Sequence, residues 1–373
     1  MDTESKLRLL SDASRYDLSC ACGTKQSVDH RSRGANGTWL YPVSLPGGGA
    51  SIMLKTLMSN ACVNDCKYCP FRIGSDVQRC TISPDEMAAV FMDYVRTRGV
   101  FGIFLSSGVV GSPDNTMKLL NDTAKILRAK YAYRGYVHIK IIPGASFAAI
   151  EESLSLAKTV SLNIETPGQQ RLARLSGKKN FQDDIIRPMK FIAQQTAKGN
   201  KFERVRQTTQ FIVGASDETD AEIVRYTAGL YERLGLNRVY FSSYQRGAGD
   251  PAIPGEHREQ PFKDAAFVRE HRLYQTDFLL RKYDFSLSDI YFDESGGLSY
   301  DTDPKQLWAN RHPEFFPVNI NRSSESQLLR VPGIGPLGAR RIVQTRSERK
   351  IARLEWLPIK GKRLETLRKY VVC

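Results

Sequence analysis

From about residue 51 to residue 243 the chain alternates short runs of β-branched and aromatic residues with longer segments whose apolar positions recur at helical spacing, the pattern of parallel βα units. The runs predict six strands, at 51–57, 102–105, 136–142, 160–164, 210–213 and 238–242. Helix starts are legible between them. Ser83-Pro84-Asp85-Glu86 offers an N-cap serine, a proline at the first helical position and a glutamate at the capping-box position. Asp114 is placed to cap a helix through Leu127, and further helices fit 146–157, 183–198 and 221–234. Six consecutive βα units close as a partial barrel or lie open as a doubly wound sheet, and periodicity is the same for both. Either way the chemistry belongs at the C-terminal ends of the strands, where the βα loops converge.

Outside this region the pattern weakens. Residues 1–50 read as an irregular arm packed on the barrel, ending in Pro46-Gly47-Gly48-Gly49. The stretch 247–261 is rich in Gly and Pro and reads as a long functional loop before a helix over 261–283. The expected division is an arm at 1–50, a barrel at 51–300, a connector with Pro304, Pro313 and Pro317 at 301–318, and a C-terminal domain at 319–373. At 373 residues the chain exceeds one typical core, so a catalytic body with an appended module is expected. Composition is that of a globular protein, 41% hydrophobic, and no run approaches the roughly 18 apolar residues of a membrane span. The first residues lack the apolar stretch of a secretory signal. A soluble, cytoplasmic protein without a membrane partner is expected.

Charge changes the picture at one end. The formal charge is +14, and from Asn319 to Cys373 there are 13 Lys or Arg against 4 Asp or Glu, a net +9, leaving +5 on the other 318 residues. A basic tail on a nearly balanced body points to a polyanionic partner for the tail. A solvated basic face that aids solubility is the plainer reading of charge alone.

Seven cysteines are few and odd in number, and three of them fall within eight residues. That suits metal binding in a reducing compartment better than disulfides. The segment NACVNDCKYCPF places Cys62, Cys66 and Cys69 at C-x3-C-x2-C spacing on the loop after the first strand. Iron–sulfur clusters normally take four cysteines, so three leave one iron open to an exogenous ligand. A zinc knuckle would want a fourth Cys or His close by, and only Cys80 lies near, at the edge of reach. Cys80 and Cys373 are read as structural.

This spacing after a first strand resembles the radical S-adenosylmethionine superfamily. The resemblance implies a partial (βα)6 TIM-like barrel, a [4Fe-4S] cluster on the three cysteines, and S-adenosyl-L-methionine as cofactor, with Tyr68 near its adenine. FLSSG, with Ser106, Ser107 and Gly108, takes the place of the family's glycine-rich second-strand motif, whose backbone meets the methionine amino group, and departs from the common Gly-Gly-Glu form. VSLNIETP supplies Asn163 and Glu165 toward the ribose and methionine ends. QTTQFIVGASDET matches a strand-Gly-x-x-x-Glu pattern at Gly214 and Glu218, with Ile212 and Val213 against adenine, and VYFSSYQ brings Tyr244 to the rim. The implied chemistry is reductive cleavage of the sulfonium, with an electron donor such as flavodoxin or ferredoxin, to give a 5′-deoxyadenosyl radical that abstracts a substrate hydrogen. Catalytic candidates are His138 and Lys140, which alternate along the third strand and are otherwise barrel lining, Tyr244, and Cys20 or Cys22 of SCACG as a further ligand or a radical-quenching thiol.

In the tail, SESQLLRVPGIGPLGARRIV reads as a capped short helix, a glycine turn at Gly333, Ile334 and Gly335, and a second helix with Gly338, Arg340 and Arg341. This resembles a helix-hairpin-helix, in which glycines let the backbone approach a phosphate and helix N–H groups hold it without reading sequence. A degenerate second copy, with Lys360 and Lys362, precedes a helix over 363–372. The expected fold is therefore α/β with a small all-α helix-hairpin-helix domain. The whole architecture resembles a bacterial family of DNA modification or repair radical S-adenosylmethionine proteins linked to uracil-DNA glycosylase, which implies DNA as target and a glycosylase-like partner protein. Two other functions fit the same features. One is an RNA- or tRNA-modifying radical enzyme, and the other is a non-catalytic DNA-binding protein with a structural or redox-sensing cluster.

Overall fold

The structure is a computed structural model that describes residues 1–14, 32–33, 39–44, 49–357 and 359–373. The chain divides into two compact units, Met1–Glu218 with Gly229–Gln260, and Thr219–Ala228 with Pro261–Cys373. Among the described residues no helix is long and apolar enough to cross a membrane.

In the first unit, α1 (Thr3–Ser14) precedes two short strands, β1 (Ser32–Arg33) and β2 (Trp39–Ser44). Then come β3 (Ala50–Leu57), α2 (Pro84–Arg98), β4 (Gly102–Ser106), α3 (Pro113–Ala129), β5 (Tyr136–Lys140), α4 (Phe147–Leu156) and β6 (Thr159–Ser161). After these follow α5 (Gln169–Leu175), α6 (Arg187–Gln195), β7 (Arg206–Val213), α7 (Asp220–Leu234), of which only Gly229–Leu234 belongs to this unit, β8 (Arg238–Ser243) and the single turn α8 (Pro254–His257). Among the described residues β1 to β8 form one sheet in sequence order. The β1/β2 and β2/β3 pairs are antiparallel and every later pair is parallel. This order decides between the two closures. A doubly wound sheet reverses at a switch point, whereas here each strand pairs with the next and the sheet winds one way as an incomplete barrel.

The six expected strands are β3 to β8. The N-terminal arm, expected to be irregular, carries a helix and two strands that extend the sheet, because β2 pairs antiparallel along β3 from Leu40↔Leu54 to Ser44↔Ala50. Ser83 caps α2 through a complete capping box, accepting from the Glu86 N–H while the Glu86 carboxylate accepts the Ser83 N–H. The carboxylate also takes Lys6 Nζ at 3.0 Å and Thr3 Oγ1 at 2.7 Å, which pins α1 to this helix start. The next helix corrects the expectation for Asp114. Pro113 occupies the first turn, so the cap falls on Ser112, and Asp114 instead accepts the Ser146 N–H at 2.8 Å, at the cap of α4. The buried Asn121 on α3 then bonds Ala149 O, Glu152 and Ser153 of α4, joining neighbouring helices through polar groups that are all satisfied.

Strand β6 ends earlier than its apolar run. Beyond Ser161 the Thr209 hydroxyl enters the ladder, donating to Leu162 O at 2.7 Å and accepting the Ile164 N–H at 2.9 Å. The helix expected over 183–198 begins as a π-helical turn at Phe181–Ile186, capped by the Asn180 side chain, and ends at Gln195.

The second unit contains α9 (Ala265–Lys282), α10 (Pro304–Arg311), β9 (Val318–Asn319), α11 (Glu325–Arg330), α12 (Pro336–Glu348), α13 (Lys362–Arg368) and β10 (Val371–Val372). It is not all-α as expected. The last helix stops at Arg368, and Val371 and Val372 pair in parallel with Val318 and Asn319. The β-branched Val371 packs into a core with Ile320, Leu328, Ile334, Ile342 and Leu367, which a continued helix would turn away from it. Under the loop between α11 and α12 lies Lys305, buried, donating from Nζ to Ile334 O at 2.5 Å. Burial pulls its ammonium down to about 7, against the opposing field of Asp303.

Candidate active site

Strand β3 delivers the chain into a loop over residues 58–81 that closes on itself through a Ser59↔Thr81 bridge. A loop of this length pointing inward must pair its own backbone groups. Arg79 does much of this, donating to Asn60 O, Phe71 O, Arg72 O, Ser75 O and Ser75 Oγ at 2.6–3.2 Å. Asn60 adds two bonds, from Nδ2 to Gln78 O and from the Cys80 N–H to its Oδ1, both 2.8 Å. From outside the loop, Asp65 accepts Ser176 Oγ at 2.5 Å and the Gly177 N–H at 2.9 Å, and Lys178 Nζ donates to Val63 O.

So held, Cys62, Cys66 and Cys69 line one cavity at the C-terminal ends of the parallel strands. Burial raises the Cys66 thiol and pushes Cys69 up to about 12. Two backbone donors face the sulfurs, Val109 N–H to Cys62 Sγ and Phe71 N–H to Cys69 Sγ, each at 3.4 Å. Buried thiols with N–H donors at sulfur suit a cationic metal group that removes their protons on binding. Among the described residues no three His, Cys, Asp or Glu side chains are gathered tightly enough to chelate a single ion. A cluster that takes one thiolate per iron does not need that arrangement.

Across the cavity stands the end of β4. Gly108 donates its N–H to Ser59 O at 2.7 Å, and a Cβ at this position would meet Ala61 O at 2.5 Å and Cys62 Cβ at 3.3 Å, so only glycine brings the strand end this close. Ser107 Oγ is buried with no hydrogen-bond partner among the described residues, which leaves a polar group ready for a ligand. The third wall holds a buried ion pair, Lys179 Nζ to Glu165 Oε1 at 3.2 Å, with both side chains under 10% exposed. Lys179 also donates to Tyr68 OH at 3.2 Å, and Asn163 Nδ2 reaches Glu165 Oε2 at 3.5 Å. Despite desolvation, the Cys66 and Glu165 charges hold the Lys179 ammonium above its ordinary value. Glu165 has φ +65°, a left-handed conformation uncommon outside glycine, kept by Glu165 O accepting the Ile212 N–H at 2.7 Å.

Residues 56–228 match the family model described as Radical SAM superfamily. This segment, just under half of the chain, is similar to the radical SAM superfamily. No curated protein matches it. Solved structures similar to it include the FeFe-hydrogenase maturase HydG from Carboxydothermus hydrogenoformans, 16% identical over 61% of this chain and 51% of that one, with a TM-score of 0.47. Methylornithine synthase (PylB) is 14% identical over 61% of each chain with a TM-score of 0.46. SuiB from Streptococcus suis is 14% identical over 60% of this chain and 45% of that one with a TM-score of 0.43. The alignment thus spans about half to three fifths of those proteins' lengths.

The three cysteines, Tyr68, Ser106, Ser107, Gly108, Lys140, Asn163, Glu165, Ile212 and Tyr244 surround the same cavity. Val213, Gly214 and His138 do not line it. Along β7 the side chains alternate, so Ile212 faces the cavity and Val213 the opposite side. Gly214 instead closes a turn, its N–H donating to the buried Glu218 at 2.6 Å. His138 lies one residue pair below Lys140, its ring edge-on to Phe104 at 4.3 Å. The Tyr244 hydroxyl is engaged by Glu256, to which it donates, and by the Gly249 N–H at 3.0 Å. Cys20 and Cys22 fall outside the described residues.

Two functional groups escaped the sequence reading, Lys179 and Arg79. Lys179 sits in SGKKN, where a lysine pair looks like solvent-facing charge; nothing local distinguishes Lys178, exposed, from Lys179, buried. In the second unit, Gly333 (φ +88°), Arg340, Arg341, Lys360 and Lys362 are exposed and Gly335 and Gly338 half-buried, whereas Ile334 is a core side chain that offers the surface only its backbone. Arg340 Nε lies 3.6 Å from Glu325.

Proposed function

We propose that this chain is a radical SAM enzyme that holds a [4Fe-4S] cluster on Cys62, Cys66 and Cys69, binds S-adenosyl-L-methionine in the cavity they share with Tyr68, Ser106, Ser107, Gly108, Asn163, Glu165 and Ile212, and acts on DNA. The observation that carries the reading is the convergence of three cysteines, Cys66 buried and Cys62 and Cys69 half-buried, with residues from four strand ends on one cavity. When bound, cluster and cofactor supply reductive cleavage of the sulfonium and a 5′-deoxyadenosyl radical for hydrogen abstraction, given an electron from a donor of the flavodoxin or ferredoxin kind. The chain's own part is placement. The three thiols supply ligands, and among the described residues no fourth cysteine lines the cavity. Tyr68 and Ile212 present apolar surface to a flat ring, while Ser107, Asn163 and the Lys179–Glu165 pair offer polar atoms at fixed positions.

DNA enters the proposal through the second unit. The α11–α12 loop presents exposed Gly333 beside the N-terminus of α12, with Arg340 and Arg341 on that helix, a combination that supports backbone phosphate contacts without base readout. The test is anaerobic turnover of the reconstituted, reduced protein with duplex DNA, matched duplex RNA and heparin in competition. Formation of 5′-deoxyadenosine together with preferential DNA binding supports the reading. A loaded protein that makes none, or that prefers RNA or binds all three alike, overturns the corresponding half.

A further inference from the structure

The segment between β8 and α8 is stitched together by one carboxylate. Glu256 Oε1 accepts from the Tyr244 hydroxyl and from the Gly247 N–H at 2.9 Å, and the Tyr244 oxygen in turn accepts the Gly249 N–H at 3.0 Å. This strap lies directly against the cluster loop. Asp250 donates its N–H to Lys67 O at 2.6 Å, and a Cβ on Gly249 would meet Lys67 O at 2.3 Å and Tyr68 Cα at 3.1 Å. Lys67 is held on its other side by its own N–H, which donates to Leu175 O at 2.7 Å. Tyr68 and Ile212 then pack on a small core of Leu175, Ala215, Tyr244 and Ile253.

We infer that Glu256 is a positioning residue for the cofactor cavity, acting through Tyr244 and the Gly247–Asp250 strap to fix the backbone that presents Tyr68. This rests on the proposed cofactor site, since Tyr68 is one of its walls. Glu256 is not itself among the residues lining the cavity. The carboxylate is the one atom group that both the hydroxyl and the strap amide share, so its loss releases the Gly249 contact and the Asp250–Lys67 bond with it. The Cys62 and Cys69 sulfurs accept from the Val109 and Phe71 amides, and Arg79 gathers the loop carbonyls, all independently of the strap, so cluster loading should be spared.

The experiment uses the full chain and compares Glu256→Ala, Glu256→Gln, Tyr244→Phe and Gly249→Ala. Without cofactor, amide exchange at residues 67–69 and 247–250 is expected to quicken at least about tenfold in Glu256→Ala, with β3–β8 amides unchanged. A general loss of stability would move both. With the reconstituted enzyme, iron and sulfide content and the visible spectrum are expected to match wild type while the dissociation constant for S-adenosylmethionine rises about tenfold or more. Glu256→Gln keeps an acceptor oxygen and should recover most of the affinity, and Gly249→Ala should reproduce the defect by steric means. Unchanged exchange at 67–69 in both Glu256→Ala and Tyr244→Phe would overturn the inference. If wild type fails to bind the cofactor, the proposed site fails, and the exchange measurement still decides whether the strap holds Tyr68.

Discussion

The cysteine loop of the first unit and the α11–α12 loop of the second solve opposite problems. The first runs inward for two dozen residues, and its carbonyls are gathered by Arg79, its ends by Asn60 and its flank by Asp65 and Lys178. The second is five residues long, stays at the surface, and is fastened from beneath by Lys305 at Ile334 O. Chemistry that must exclude water needs a loop whose polar groups are paid for internally. Phosphate recognition needs the reverse, amide groups and cations left facing solvent. The difference should show in which substitutions hurt folding and which hurt only binding.

The sharpest way to break this contrast is Arg79→Ala. It leaves up to five acceptors inside the cysteine loop unmatched, and should cost about 3–5 kcal/mol, read as a drop in the melting temperature and failure to retain iron. A stable, fully loaded variant would mean the loop is organised by the cluster and not by the chain. Gly108→Ala comes next. Its Cβ must displace the Ala61 carbonyl, so a loss of about 1–3 kcal/mol is expected by denaturant titration, together with weaker cofactor binding.

Acid sharpens the comparison further, because the cysteine loop runs into the α2 cap. The Ser83 amide and the partners from α1 hold the Glu86 carboxyl at about 2, below the ordinary 4.5. A depressed acid contributes fully above about pH 4.5 and loses that contribution as pH falls through 2. Allowing for its partial exposure, about 1–2 kcal/mol should disappear over that window, and Glu86→Gln should flatten the pH dependence of unfolding there. The smallest effect belongs to the exposed loop. Arg341→Ala should leave stability and cofactor cleavage unchanged while lowering the salt slope of DNA binding by about 1. A change in melting temperature would show that the arginine is structural.

Much of the barrel was legible because its signal is periodic. Six strands with alternating or continuous apolar runs, and capping serines before prolines, translate directly into β3–β8 and α2. Asp114 misled because two acceptors flank Pro113, and the proline decides between them by occupying the first turn. β9 and β10, two residues each, carry no period to detect. At the site, spacing exposed the cysteines, and the family resemblance pointed to Asn163, Glu165 and Ile212. Val213 and Gly214 were assigned by the same motif, but the pleat turns Val213 away and Gly214 closes the turn after the strand. Lys179, Arg79 and Glu256 were invisible for one shared reason: their roles depend on which distant loop folds over them, and a charged residue in a polar segment reads the same whether it ends up buried or exposed.

The central claim is that the three cysteines of the inward loop carry a cluster that cleaves the cofactor. Its most direct test is anaerobic reconstitution with iron and sulfide, dithionite reduction, and quantitation of 5′-deoxyadenosine for wild type, Cys66→Ala and Cys80→Ala. The account predicts product from wild type and Cys80→Ala and none from Cys66→Ala. Equal product from all three, or none from a wild type shown to hold its [4Fe-4S] cluster, would contradict it.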